Sequence, residues 1–199
     1  MFSPSKMDVT PLIDHLNSFL PLTEEETSEL QKRVSQKTVK RRQFILSSGE
    51  VCKHYNFIVE GCFKMYKVDD TAKEHNLHFA VENQWITDIG SFHSEQPSQL
   101  YIEAVEPSSI LQISKSDLIH FYEHNIKFNR IFRVMVEDEF VRLQNRLLQT
   151  ISTTAEQRYL EFIEQYPDLF NRISNVQVAS YLGITPEFLS NIRKKLSQS

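Results

Sequence analysis

From Phe128 to Ile151 the sequence carries one continuous apolar stripe. Phe128, Phe132, Val136, Phe140, Leu143, Leu147 and Ile151 recur at steps of three and four residues, the period of a helix. Ile131, Met135 and Leu148 widen the stripe to a second face. Roughly 26 residues at 1.5 Å each make a rod about 39 Å long. A helix apolar over two faces has two surfaces to cover. One can lie on the body of its own chain. No other segment is long enough to cover the rest, so the economical partner is the same helix of a second copy, packed as a parallel coiled coil. Packing both faces within one chain is the alternative. Asp138 and Arg142, four apart, suit a solvated flank.

Ahead of this rod the period is different. Residues 1–10 read as a frayed end, and Pro11 to Phe19 as a short helix with Leu12, Ile13 and Leu16. Thr23 followed by Glu26 is a capping-box pair opening a helix to about Val34, with Leu30 on its buried side. From Thr38 the alternation becomes two. Short strands are predicted at Val39 and over 43–46, 56–60, 62–68, 74–81, 100–105 and 109–113. Turn signals at Ser48-Gly49, Gly61, Asp69-Asp70, Glu82-Asn83, Pro97 and Pro107 separate them. Seven or eight such strands predict a sandwich or jelly-roll barrel. Ser114 with Asp117 then caps another helix, carrying Leu118, Ile119 and Tyr122.

Behind the rod, Ser152-Thr153-Thr154 interrupts the stripe as a hinge, and a helix follows from Ala155 to Tyr166, stopped by Pro167. Val178, Ala179 and Leu182 then fall at helical spacing up to Gly183, and Leu189, Ile192 and Leu196 after it. Gly183 suits the left-handed position that ends a helix. Thr185 is an N-cap, Pro186 fits the first helical position, and Glu187 lies at the positive dipole end. Helix, tight turn and capped helix make a helix-turn-helix; an ordinary helical hairpin is the plainer alternative. Residues 171–199 carry net +3 against −7 for the remainder. A basic tip on an acidic body favours a polyanion, here DNA. The second helix offers Thr185, Glu187, Ser190, Asn191, Arg193, Lys194 and Lys195 outside its apolar stripe. Glu187 and Asn191 suit base edges, and Thr185, Lys194 and Lys195 suit phosphates.

With 199 residues, 40% of them hydrophobic and 24% charged, the chain has ample core and the composition of a globular protein. No run approaches the ~20 apolar residues of a membrane span, and no signal peptide is visible. Cys52 and Cys62 make no metal-ligand spacing, and no disulfide is expected. The expected compartment is the cytoplasm.

A small N-terminal helical pair, a jelly roll, a long helix and a terminal helix-turn-helix resemble the Crp/Fnr family of bacterial transcription regulators, over nearly the whole chain from Thr10. The segments most similar to that family are Phe44-Ile45-Leu46-Ser47-Ser48-Gly49-Glu50, then Phe57-Ile58-Val59-Glu60-Gly61-Cys62-Phe63-Lys64, and the run Val178 to Glu187. The resemblance implies an α+β fold in three parts: a cyclic nucleotide-binding-like jelly-roll sensor over 10–124, a long dimerisation helix over 125–151, and a helix-turn-helix, winged-helix-like DNA-binding domain over 152–199. It implies a homodimer reading a two-fold symmetric operator, with Phe132, Met135, Val136, Phe140, Leu143 and Leu147 between the helices. It also admits RNA polymerase and an unidentified small-molecule effector as partners, and no membrane.

Two departures matter. Family members that bind cyclic nucleotides carry a Gly-Glu-Leu turn and, further on, Arg-Ser-Ala, whose Arg pairs with the phosphate. Here the corresponding residues run Ile86-Thr87-Asp88-Ile89-Gly90-Ser91-Phe92 and Pro97-Ser98-Gln99-Leu100-Tyr101, and no Arg or Lys lies between Lys73 and Lys115. A phosphate buried in that cassette would lack a cation, so cyclic AMP is not the expected ligand. Asp88, Ser91, Gln99 and Tyr101 are candidates for a neutral or cationic one, against a filled barrel with no ligand. The recognition helix also has Pro186 and Asn191 where the family usually has arginines, so no operator sequence carries over.

A jelly roll also hosts cupin metal enzymes. Their histidines lie two apart on one strand face, whereas His75 and His78 are three apart and would point oppositely. His120 and His124 share a helical face without a third ligand. No phosphate loop, nucleophile elbow or paired-carboxylate motif is present. The expectation is a non-enzyme without cofactor or metal; a cupin-like enzyme or a non-DNA-binding adaptor of the same fold are the rival readings.

Overall fold

A computed structural model describes residues 7–198. Residues 1–6 of the stretch expected to be frayed lie outside the described residues, while Val9 is buried rather than frayed. Helix α1 (Thr10–Asn17) buries Leu12 and Leu16. Helix α2 (Glu24–Arg33) begins with the expected capping box: Thr23 Oγ1 accepts from the Glu26 N–H at 3.2 Å, and Glu26 Oε2 accepts from the Thr23 N–H at 2.7 Å.

The chain passes from α2 straight into strand β1 (Val34–Val39), four residues before the alternation became visible. As an outer strand it buries only its two ends, so its sequence lacks a clean period. Strands β2 (Phe44–Leu46), β3 (His54–Glu60), β4 (Phe63–Val68), β5 (Glu74–Ala80), β6 (Trp85–Ile86), β7 (Tyr101–Ala104) and β8 (Ser108–Ser114) complete two antiparallel four-stranded sheets. Their orders are β1-β8-β3-β6 and β2-β7-β4-β5. Phe57, Ile58, Phe63, Ile102, Ile110 and Leu111 are fully buried in the core these sheets build. At Gly61, φ is +107°, and a Cβ would stand 2.1 Å from Ser108 Oγ, so only glycine fits where β3 turns into β4. A short helix α3 (Ile89–Ser94) interrupts the cassette between β6 and β7. Six residues of helix carry too little periodicity to show in sequence.

Ser114 caps helix α4 (Lys115–His124), and Asn125 then accepts from the Lys127 and Phe128 N–H groups to start helix α5 (Ile126–Ser152). The rod is therefore 27 residues long. Its first turns bury Phe128, Ile131 and Phe132 on the jelly roll. Phe132 meets Tyr55, Trp85 and Tyr122 edge to face, so it belongs to its own chain's core rather than to a helix–helix seam. Met135 also packs on that core. Thr154 caps helix α6 (Ala155–Gln165), and a 3₁₀ turn over Leu169–Asn171 leads to helices α7 (Asn175–Leu182) and α8 (Pro186–Leu196).

The helical end is docked on the barrel. Its core of Phe162, Tyr166, Val178, Ala179, Leu182, Leu189 and Ile192 is continuous with Cys62 and Phe79 of the jelly roll. The Ser180 hydroxyl donates to the Glu74 carbonyl at 2.6 Å and accepts from the Asn76 N–H at 3.0 Å. Arg146 donates to the carbonyls of Asn76, Leu77 and Tyr181, joining α5, β5 and α7.

Candidate nucleic-acid interface and ligand cavity

The helix-turn-helix is built as its local sequence dictates. Gly183 takes φ +70° and its N–H returns to the end of α7, while Ile184 donates to the Ala179 carbonyl at 3.0 Å. Thr185 Oγ1 accepts from the Phe188 N–H at 3.2 Å, with Pro186 opening α8. Leu189 and Ile192 are buried, and Leu196 packs against the same core. Thr185, Glu187, Ser190, Asn191, Lys194 and Lys195 are exposed.

Those side chains are not equally available. Glu187 is held ionised below the usual carboxylate range by its own N–H and the Thr185 hydroxyl, so it supports the helix start as well as facing outward. The Ser190 hydroxyl bonds back to the Pro186 carbonyl at 3.0 Å. Lys195 reaches Glu156 at 2.6 Å. Arg193 is half-buried, donating to Asn175 at 2.8 Å and lying 4.3 Å over the Phe170 ring, so it braces α8 against its neighbours. Arg172, counted in the basic tip, is turned toward the barrel and paired with Glu82 and Glu106. The local excess of positive charge is therefore smaller than residue counting gave. Phe188, in contrast, is 50% exposed on α8; it stands off the three-and-four stripe, the signal by which it was findable.

On α5 the apolar stripe continues past the barrel into solvent. Val136 and Leu143 are partly exposed, Phe140 is 66% exposed and Leu147 63%. Val141, Leu148 and Ile151 are exposed as well.

A cavity of about 570 Å³ lies between the jelly roll, α1 and α5 and reaches the end of α6. Of the four expected ligand residues, only Asp88 lines it. The Asp88 carboxylate caps α3 by accepting from the Ser91 N–H at 3.2 Å and accepts from the Ser98 hydroxyl at 2.6 Å. The Ser91 hydroxyl donates to the Gln96 carbonyl and accepts from the Cys52 N–H, which makes it part of the loop's own framework. Gln99 accepts from Lys67, and Tyr101 stacks on Tyr66 on the outer face of the other sheet. The cassette itself supplies no cation, but α5 does: Arg142 and Arg146 line the cavity. Arg142 is paired with Glu139, three residues away, and not with Asp138 on a solvated flank. Residues distant in sequence made this wall invisible to motif spacing.

Among the described residues no group of three or more His, Cys, Asp and Glu is arranged to hold a metal ion. His75 bonds Asp69 at 2.7 Å, and His124 Nδ1 meets the His120 carbonyl at 2.9 Å. Both cysteines are buried as free thiols, the Cys62 thiol pushed up to about 12 by burial. No described helix is long and apolar enough to cross a membrane.

A barrel with a cavity, a long helix and a helix-turn-helix follow one another along the chain. The family model of the cyclic nucleotide-binding domain matches residues 36–125. FixK2 from Bradyrhizobium japonicum superposes with a TM-score of 0.73 at 17% identity, covering 83% of this chain and 85% of that one. A CooA variant from Carboxydothermus hydrogenoformans gives 0.71 at 15%, covering 98% and 86%. A Eubacterium rectale protein assigned to the Crp/Fnr family gives 0.70 at 13%, covering 92% and 88%. No curated protein sequence matches the chain. Residues 36–125 are thus similar to the cyclic nucleotide-binding domain, and the chain as a whole has the fold of these solved structures.

Proposed function

We propose that the protein is a homodimeric, sequence-specific DNA-binding transcription regulator of the cytoplasm, switched by a small molecule other than a cyclic nucleotide. The observation that carries this reading is α8: its stripe of Leu189, Ile192 and Leu196 is turned inward while Asn191, Glu187, Phe188 and Lys194 stand out together. A recognition helix needs this division, with base-reading groups along its N-terminal half. The uncovered stripe on α5 supports a two-fold dimer, which would present two such helices to a two-fold operator. RNA polymerase belongs to the same reading as a partner on the promoter. The self-satisfied Asp88–Ser91–Ser98 cassette argues against a phosphate there. Fluorescence anisotropy with labelled DNA from the protein's own promoter region tests the proposal. Saturable binding that outlasts competitor DNA is expected; binding no tighter than to random DNA would remove the regulator reading and favour an adaptor.

A further inference from the structure

The cavity beside α5 has two unlike ends. Phe19, Met65, Leu100, Phe132 and Met135 make one of them apolar. His78, Arg142, Arg146 and Tyr166 build the other, where β5, α5 and α6 meet. Three polar atoms of lining residues, Tyr55 Oη, His78 Nδ1 and Arg142 Nη1, are buried with no hydrogen-bond partner among the described residues. Buried polar groups are nearly always satisfied, so the two at the polar end, His78 Nδ1 and Arg142 Nη1, point to a polar group that they would receive, while Tyr55 packs on Phe132 at the apolar end.

Charge decides which group. Arg142 gives Nε and Nη2 to Glu139, leaving Nη1 over. Arg146 donates only to carbonyls and lies 4.0 Å over the Tyr181 ring. Burial pulls its pKa down, yet a guanidinium stays charged. Two cations against the one paired Glu139 leave this end with a positive charge to balance. Burial holds the His78 ring neutral, with a pKa of about 3, so it adds no further charge. Two further carboxylates line the cavity: Asp138, which is exposed and screened by solvent, and Asp88, which keeps its charge but is solvated by the Ser91 N–H and the Ser98 hydroxyl.

We propose that this cavity binds a small apolar monocarboxylic acid, with its carboxylate on Arg142 Nη1 and its hydrocarbon body along Phe132 and Met135. The assignment rests on the regulator reading above and names its effector class. A cyclic nucleotide also brings one negative charge, but its base and sugar would set several donors and acceptors against the apolar wall, where each unpaired one is penalised. The polar side chains of Gln84 and Thr87 nearby already accept from the Val81 and Asn56 N–H groups. The carboxylate would also lie beside Arg146, which ties β5 to α7, so occupancy bears directly on the junction between jelly roll and helix-turn-helix.

Calorimetry on the full chain with decanoate, 4-phenylbutyrate, decanol and cyclic AMP tests this. Saturable binding of at least one acid is expected, with decanoate at least about tenfold tighter than decanol. Arg142→Gln should erase that preference while circular dichroism shows an unchanged fold. Leu100→Trp, which fills the apolar end, should weaken acid and alcohol alike. The proposal is overturned if neither acid binds, if acid and alcohol bind equally, or if cyclic AMP saturates the site in their place. DNA binding measured on the same preparation separates the two readings. Protein that binds its DNA but no acid overturns the effector class alone, whereas binding of acid without any DNA binding overturns the regulator reading.

Discussion

Arg172, on the approach to the helix-turn-helix, donates both terminal nitrogens of its guanidinium to the Glu82 carboxylate of the jelly roll, each at 2.8 Å. The same carboxylate accepts from the Gly61 N–H at 2.8 Å. One acidic side chain thus fastens a barrel turn to the helix-turn-helix end. Burial works to raise its pKa, but the bonds from Arg172 and Gly61 and the guanidinium charge outweigh it, and the net shift is downward.

A carboxyl depressed in the folded state contributes stability that is present above its unfolded pKa, about 4.5, and lost as pH falls through the folded value. Wild type should therefore lose more stability than Glu82→Gln between pH 7 and pH 3. Because both partners are partly exposed, the difference should be on the order of 1 kcal/mol. Urea unfolding at several pH values measures it; equal acid losses would mean that the pair does not couple the two ends.

Gly61→Ala should destabilise by more than about 2 kcal/mol, since it combines a positive φ with a Cβ on top of Ser108. Adding Ser108→Gly should recover only the part due to the Ser108 side chain, because the backbone Cα of residue 108 still stands 2.8 Å from the added Cβ and φ stays positive. Urea midpoints of the single and double variants separate the side-chain clash from the backbone cost. Full recovery would show that neither φ nor the close backbone carries a cost here.

Phe140→Glu with Leu147→Glu should turn dimers into monomers in light scattering without lowering the melting temperature of the protomer. Both residues are exposed in the single chain, so charge there is harmless until a second helix covers it. Phe132→Glu should instead unfold the barrel end, because Phe132 is inside its own chain. An intact double-Glu dimer would move the interface off α5.

The fold was legible where periodicity is long or capping chemistry is local. The α5 stripe, the Thr23–Glu26 box and the Gly183 corner are all sequence-near patterns, and each stands where it was expected. What escaped was set by distant neighbours. Strand β1 hides its period because it is an edge, and Phe132 looked like a seam residue until Tyr55 and Trp85 came round it. Arg172 was indistinguishable from a DNA-facing cation until Glu82 and Glu106 met it from the barrel. The cavity joins residues from α1, β3, β5 and α5, a set that no spacing along the chain encodes.

Three substitutions on α8 should differ in kind. Asn191→Ala should cost roughly 1–3 kcal/mol on the best operator and relax one base pair per half-site. Lys194→Ala should weaken all sequences alike and reduce the salt slope by about one per protomer. Phe188→Ala should remove the penalty for replacing an operator thymine by uracil, since an exposed aromatic suits the thymine methyl. Binding series over salt and base substitution resolve the three. Uniform losses from Asn191→Ala would mean that α8 docks differently.

Selection of binding sites from a random DNA pool, followed by sequencing, tests the central claim that a dimer reads DNA through α8. The predicted result is enrichment of a two-fold symmetric site whose half-sites are centred about one helical turn, roughly 10 bp, apart, with the Asn191→Ala variant enriching sites degenerate at one symmetric pair of positions. A pool that stays random, or one that yields a single unrepeated half-site, would contradict the account.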